Sequence, residues 1–475
     1  MFTLPFPVTA KICVLGYGIN HQELVGFLLA EGCSVTVRDR DGLKREALFS
    51  KYPEAGTQLQ FEEREDVASD LEPFEVIFRS PGIPLASTGL QDALKRGAVV
   101  TSQTQLFLDL CVAQTTGVTG TKGKGTTSTL IFNILKAGLP ETNVYLAGNI
   151  GVDPFTFLSK LTKEDVVILE LSSFQLDGLT KSPHIAVILH VAQDHLDHHA
   201  SLAAYREAKA HIVKHQREGD VAIINAEYPD MQDFFAAAPA RVIRYHRSAP
   251  GQETAWVDEQ QGSEVAFFAI DGQVDSLSLA GRKLLGKHNL ENILPAILVA
   301  SLFHVSPSVM QKEIVSFGGL EHRLSVVENE KGILAIDDSI ATTPESTLVA
   351  MEAFAGKRIH LVAGGKDKGQ DYLSLAPAIA EKCVSLLVLP GAASATLASL
   401  VLAEASRGSA ITVVQAASTD RLGVMEELIV SLGSELKEGD VLLLAPSAAS
   451  DTPYANYKER GEAFAEAVSG RVHHA

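Results

Sequence analysis

The chain has 475 residues, 46% hydrophobic and 21% charged, with a formal net charge of -18. That length accommodates about three domains, and the composition is that of a globular protein. The negative balance excludes a general nucleic-acid binder, whose footprint is a basic face, so an anionic ligand must be met by a local cluster of basic side chains.

The opening segment, MFTLPFPVTAKICVLG, has no basic region ahead of an apolar core, so it is not read as a signal peptide. No apolar run approaches the ~20 residues of a membrane span. Cys13, Cys33, Cys111 and Cys383 lack C-x-x-C spacing, as reduced thiols of a cytosolic protein do. A cytoplasmic protein is expected. A short β-rich run, 11–15, leads into GYGINH, which begins like a G-x-G-x-x-G turn but carries His21 in place of the third glycine. A helix and a second strand, 34–37, follow, ending at Asp39 and Arg40. This is the dinucleotide-fold order, with Asp39 placed to bond a ribose or base edge. The missing glycine points to a nucleotide other than NAD. A further strand, 76–78, ends at the turn SPGIP, where open α/β sheets place ligands.

A second domain starts near Gln103. An apolar run enters GVTGTKGKGTT, and a helix leaves it, with Gly138 just past its last apolar position and Pro140 beyond. Strand, glycine loop, lysine, hydroxyls and helix form a phosphate cradle. Backbone N–H groups and the positive helix end face the phosphate oxygens, Lys124 adds a charge, and Thr126 or Thr127 can ligate Mg²⁺. The strict G-x-x-x-x-G-K-[ST] pattern is not met, because Val118 holds the first glycine position and Gly125 follows the lysine. After GNIG, the strand 166–169 ends at Glu170, a candidate Mg²⁺ ligand. The strand 185–190 enters the stretch QDHLDHH, whose spacing matches no structural zinc pattern; Mg²⁺ or phosphate contact by His195 is the preferred reading. A helix over 202–214 carries Lys209, which by pattern alone reads as a solvated lysine. Residues 221–280 alternate short β-like runs with polar turns and show no evident chemistry. GKHNLEN then opens an apolar helix with Asn289 and Asn292 on one face.

A third domain begins near Leu320. Strands at 332–336, 358–363, 385–389, 411–414 and 441–445 alternate with helices, which implies another mostly parallel sheet. Polar clusters at their ends (DDSIATT, GGKDKG and APSAASD) are candidate binding groups.

GVTGTKGKGTT, GNIG, ELSSFQL, DHLDHH, YREAK, GKHNLEN, EHRL, DDSIATTPEST, GGKDKG and YKERG, in that order, resemble the Mur ligases of peptidoglycan synthesis, in particular the glutamate-adding branch. The resemblance implies an α/β protein of three domains. These are a Rossmann-like domain for the UDP precursor (1–102), a central P-loop ATPase with a parallel sheet (103–319) and a Rossmann-like domain for the amino acid (320–475). It implies an ATP-dependent ligase that adds glutamate, D- or L-, to UDP-N-acetylmuramoyl-L-alanine through an acyl phosphate, working as a monomer with ATP and two Mg²⁺ ions.

By position, the resemblance assigns ATP to Gly120, Thr121, Lys122, Gly123, Lys124, Gly125, Thr126, Thr127, Asn289, Arg323 and Asp338. Mg²⁺ would be held by Thr126, Glu170, His195 and Lys209, the last as a CO₂-derived carbamate; this reverses the solvated reading of Lys209. Lys124, Glu170, His195 and Lys209 form the implied catalytic set. Gly18, Ile19, Asn20, Asp39, Arg40, Gly82, Asn149 and Ser172 would bind the UDP precursor. Thr342, Lys368, Ser450 and Tyr457 would hold the amino acid. Two departures touch that last group: Ile340 stands where the family's D-S-K-A-T motif has lysine, and DTPYANY follows Ser450. The alternatives are a folylpolyglutamate-synthetase-like ligase and a nucleotide-binding module without turnover.

Overall fold

A computed structural model describes residues 2–42, 44–150, 152–192, 201–247, 254–260, 262–284, 286–327, 329, 332–367, 370–406 and 411–470. The chain forms two compact units, Met1–Phe317 and Gly318–Ala475.

The first unit contains two sheets. Five parallel strands, β1 (Ile12–Leu15), β2 (Val35–Asp39), β3 (Leu59–Glu63), β4 (Val76–Arg79) and β5 (Val99–Thr101), lie in the order β3-β2-β1-β4-β5. β1 and β4 are buried at every position, which is why the sequence shows them as continuous apolar runs rather than alternating ones. β2 runs two residues beyond the expected 34–37, because Arg38 and Asp39 are themselves buried and hydrogen-bonded.

The second sheet has nine strands: β6 (Gln114–Thr119), β7 (Val144–Gly148), β8 (Val166–Glu170), β9 (Ile185–Ile188), β10 (Val221–Asn225), β11 (Arg241–Tyr245), β12 (Ala255–Gln260), β13 (Ser263–Ile270) and β14 (Gln273–Ser278). Their order is β14-β13-β12-β11-β10-β9-β6-β8-β7. β6 to β11 are parallel, and β12 to β14 continue the sheet as an antiparallel meander. The helix Lys124–Gly138 buries Leu130, Ile131, Ile134 and Leu135 in one core with Ile293, Leu294 and Ile297 of the helix Leu290–Leu302. That second helix is apolar on nearly every face because it is buried all round. One boundary of each of these two helices differs from the sequence reading. Gly138 is the last helical residue rather than the first beyond it. The segment Lys287–Asn289 is a 3₁₀ turn, and the α-helix starts only at Leu290.

The second unit is a six-stranded sheet of β15 (Ser325–Val327), β16 (Leu334–Asp337), β17 (Ile359–Ala363), β18 (Cys383–Val388), β19 (Thr412–Gln415) and β20 (Val441–Leu444). The order is β15-β16-β20-β17-β18-β19, parallel except for β15. Cores form on both faces. Among the described residues, no helix is long and apolar enough to cross a membrane.

Candidate active site

The phosphate loop leaves β6 and is pinned to the end of β9. Leu189 N donates to Thr119 O and Thr121 N to His190 O, both at 2.9 Å. Gly120 and Gly123 have left-handed φ values of +152° and +84°. A Cβ at Gly120 would lie 2.6 Å from Leu189 Cβ, and one at Gly123 would lie 2.0 Å from Asn292 Oδ1. The loop therefore requires glycine for both conformation and space. Lys122 and Gly125 lie on either side of the loop-to-helix junction, with Gly123 as the helix N-cap. Lys124 Nζ donates to Gly120 O at 3.0 Å and Thr121 O at 2.9 Å. Thr127 Oγ1 donates to Asn292 O at 3.3 Å, so Thr126 is the hydroxyl left for a ligand.

Glu170 ends β8, opposite Val118 of β6, and is 6% exposed. Its carboxylate therefore does not face bulk solvent. Its Oε1 accepts Asn149 Nδ2 at 3.1 Å, and its carbonyl accepts Asn149 N at 2.9 Å. Lys209 is 1% exposed, which corrects the reading of it as a solvated lysine. Its helix packs on the sheet through Tyr205, Ala208 and Ile212, and that packing carries the lysine stem inward. Nζ donates to Gly120 O at 2.9 Å and Thr119 Oγ1 at 3.3 Å, and lies 4.7 Å from the Tyr205 ring centroid. The amines of Lys124 and Lys209 thus meet at one carbonyl oxygen. Tyr205 Oη lies 3.1 Å from Thr121 Oγ1. Asn292 Nδ2 donates to Asn289 Oδ1 at 2.7 Å, and Asn292 is the member of the pair that abuts the loop, at Gly123 and Thr127. Ser172 is committed to capping the helix Ser173–Leu176, in a reciprocal box with Gln175.

In the five-stranded sheet, Gly18 caps the helix Ile19–Ala30, which Ile19 and Asn20 open. Asp39 is engaged within the chain. Its Oδ2 accepts Tyr17 N at 2.6 Å and Lys44 Nζ at 3.0 Å, and its Oδ1 accepts Asp41 N at 3.0 Å. Burial pushes this carboxyl up, but the two N–H groups and the Lys44 ammonium outweigh it and hold the pKa below the usual range. Arg40 is exposed, and Gly82 lies in the SPGIP turn with open space where a Cβ would sit. His21, in the third glycine's place, is fully buried. Its Nδ1 donates to Gly16 O at 2.7 Å and lies 3.3 Å from Ser80 Oγ, so the imidazole joins the glycine turn to the SPGIP turn. Burial lowers its pKa to about 4. Arg79 donates to Ile83 O at 3.0 Å and to Asp177 Oδ2 at 3.3 Å, fastening that turn to the segment after Glu170.

In the second unit, Asp338 follows β16 and accepts Leu324 N at 3.1 Å. Burial raises its carboxyl to about 6, against the Leu324 N–H and the Arg323 guanidinium. Thr342 O accepts Gln370 Nε2 at 2.8 Å. Ser450 Oγ is buried with no partner among the described residues, a hydroxyl that a ligand can satisfy. Tyr457 begins the helix Tyr457–Ser469, and its carbonyl accepts Ser339 Oγ at 2.7 Å. Buried Arg460 donates to Ser339 Oγ, Ser339 O and Ala448 O, tying the loops after β16 and β20 together. Ile340 is 36% exposed among these polar groups. His195 and Lys368 lie outside the described residues. Sequence reasoning passed over Tyr205, Arg79 and Arg460 as site-building residues; nothing in their spacing marks the backbone carbonyls and loops they reach.

A glycine loop between a parallel strand and a helix, with two lysines and a strand-end glutamate beside it, defines a nucleotide-binding protein of the phosphate-loop class. The Mur ligase middle domain matches residues 118–300, and the Mur ligase glutamate ligase domain matches residues 322–448. A relative from Acetivibrio thermocellus, UDP-N-acetylmuramoylalanine--D-glutamate ligase, is 33% identical over 463 residues, 97% of this chain and 96% of its own. The protein of the same name from Symbiobacterium thermophilum is 35% identical over 461 residues, 96% of this chain and 97% of its own. The chain belongs to the Mur ligase family. Its fold is also that of MurF ligase from Thermotoga maritima, solved in complex with ADP, at a TM-score of 0.56 and 17% identity over 97% of this chain and 95% of that one. MurF from Acinetobacter baumannii superposes at a TM-score of 0.59 and 16% identity, over 96% and 90% of the two chains.

Proposed function

We propose that this chain is an ATP-dependent ligase that joins D-glutamate to UDP-N-acetylmuramoyl-L-alanine. The observation that carries the reading is the meeting of Lys124 and Lys209 at the carbonyl of Gly120. It occurs in a chain 33% and 35% identical, over nearly its whole length, to ligases of that name. On this reading residues 1–102 take the uridine diphosphate of the precursor, 103–319 the ATP and 320–475 the amino acid, in a cytoplasmic monomer.

The chemistry asks for these residue types. A carboxylate is a poor electrophile. An oxygen of the precursor's terminal carboxylate attacks the γ-phosphorus of ATP, ADP leaves, and an acyl phosphate forms. The glutamate amine then attacks the acyl carbon, phosphate leaves with the broken C–O bond, and the amine gives up a proton, leaving an amide. Lys124 and the loop N–H groups offset charge on the transferring phosphoryl group, and positioning contributes much of the rest. Bound Mg²⁺ supplies further neutralisation of the phosphate oxygens. Thr126 and Glu170 present the hard oxygen donors it prefers; with His195 they would hold one ion, and Lys209, as a carbamate, a second. Asn289, Arg323 and Asp338 would face ATP. Asp39, Gly82, Asn149 and Ser172 would line the precursor site, and Thr342, Lys368, Ser450 and Tyr457 the amino-acid site.

The test is phosphate release from ATP with UDP-N-acetylmuramoyl-L-alanine and D-glutamate, L-glutamate or neither. Release that requires D-glutamate is expected. Release with L-glutamate alone would overturn the stereochemical assignment and point to Ile340 as its origin. Silence with both would overturn the reaction.

A further inference from the structure

The phosphate loop is gripped from two sides. On one side Thr121 N donates to His190 O; on the other Gly123 and Thr127 abut Asn292. Neither grip is anchored by the loop itself, and both lead to Glu291. This residue, 8% exposed, sits in the first turn of the helix Leu290–Leu302, next to Asn292. Its Oε2 accepts Asn225 Nδ2 at 2.9 Å, and its Oε1 accepts the Tyr228 hydroxyl at 3.0 Å. Arg247 Nη1 lies 3.6 Å from Oε1. The Tyr228 ring stacks on the His190 ring, with centroids 3.6 Å apart and planes 14° from parallel. These interactions close a circuit: Thr121, His190, Tyr228, Glu291, Asn292 and Gly123.

A carboxylate this buried is costly unless donors satisfy it, and an apolar side chain would hold two elements together at lower cost. What a hydrogen-bonded carboxylate adds is a single defined geometry, since each oxygen takes a donor from a different residue. Asn225 ends β10 and Arg247 follows β11. Glu291 therefore fastens the start of its helix to the carboxyl ends of two strands. We propose that Glu291 is a positioning residue for the nucleotide: it fixes Asn292 against the phosphate loop and so sets the affinity for ATP without touching the reacting atoms. The inference rests on reading this loop as the ATP site.

Glu291→Gln and Tyr228→Phe, made in the full-length enzyme, test it by initial rates of phosphate release with the other substrates saturating. Glutamine accepts through one oxygen only and forgoes the attraction of Arg247, whereas Tyr228→Phe removes a single neutral donor. The KM for ATP should rise about tenfold in Glu291→Gln and about threefold in Tyr228→Phe, because a hydrogen bond to a charged group is worth more than one hydroxyl donor among several. Meanwhile kcat at saturating ATP and the KM for the UDP precursor should stay within about twofold. A purely structural role would shift every constant together with the melting temperature, and that outcome overturns the proposal. An unchanged KM for ATP in both variants also overturns it. If Glu291→Gln fails to fold, Tyr228→Phe carries the test alone. Lys124→Ala serves as the control: if it is inactive while both variants bind ATP normally, only this inference falls. If Lys124→Ala turns over normally, the ATP-site reading itself falls and takes the inference with it.

Discussion

Gly123→Ala probes the close approach on which the loop geometry depends. The residue has φ +84°, and its new Cβ would lie 2.0 Å from Asn292 Oδ1. Holding an L-residue in the left-handed region costs about 1 to 2 kcal/mol. The side chain of Asn292 must also rotate away, breaking its 2.7 Å bond to Asn289, a loss of about 1 kcal/mol. The expected sum is about 2 to 3 kcal/mol. Gly219→Ala separates the two terms, because Gly219 has φ +94° but no atom within 4 Å of the added Cβ. It should cost only the conformational part, about 1 to 2 kcal/mol. Urea unfolding of both variants, read as midpoint shifts at an unchanged slope, measures the difference. Gly123→Ala should shift the midpoint clearly further and should also raise the KM for ATP. Equal shifts, with normal ATP affinity, would mean that Asn292 does not press on the loop.

Three further outcomes follow from the site. Lys209→Ala should abolish turnover and regain part of it with added short carboxylates such as formate or acetate; full activity unaided would defeat the carbamate assignment. His21 has a folded pKa of about 4, below the ordinary value of about 6.5, so the unfolded chain binds the extra proton between those values. Its contribution to stability is present above pH ~6.5 and lost as pH falls towards 4, by at most about 3 kcal/mol. Urea midpoints at pH 7 and 4.5 should fall less in His21→Gln than in the wild type, and equal falls would refute this. Arg460→Met leaves Ser339 and Ala448 without their donor and should cost about 3 kcal/mol, in the second unit alone. Hydrogen exchange resolved by segment checks this, and equal loosening of β6 to β11 would count against it.

Much of the site was legible because its chemistry is contiguous. The phosphate loop declares itself within a dozen residues, since a turn that admits phosphate needs glycines, a lysine and hydroxyls in sequence before a helix. The parallel strands were legible from burial on both faces, and their carboxyl ends followed from the βα alternation. Lys209 was different. Pattern alone made it a solvated residue, and only the ordered set of motifs, then the packing of Tyr205, Ala208 and Ile212, turned it inward. Asp39 was correctly placed at a strand end, yet its partners, Tyr17 N and Lys44, show that it also holds the glycine turn in shape.

The strand–loop–helix units, the glycine positions and the family are all written along the chain, because these depend on neighbours in sequence. Three features needed the folded molecule: which carbonyl the two lysines share, how His21 replaces a glycine by bridging two turns, and how Glu291 joins Asn225, 66 residues earlier, to the phosphate loop. The physical reason is that a buried polar group is specified by the partners that satisfy it, and for Lys209, His21 and Glu291 one of those partners, Gly120, Ser80 and Asn225 in turn, lies far away in sequence.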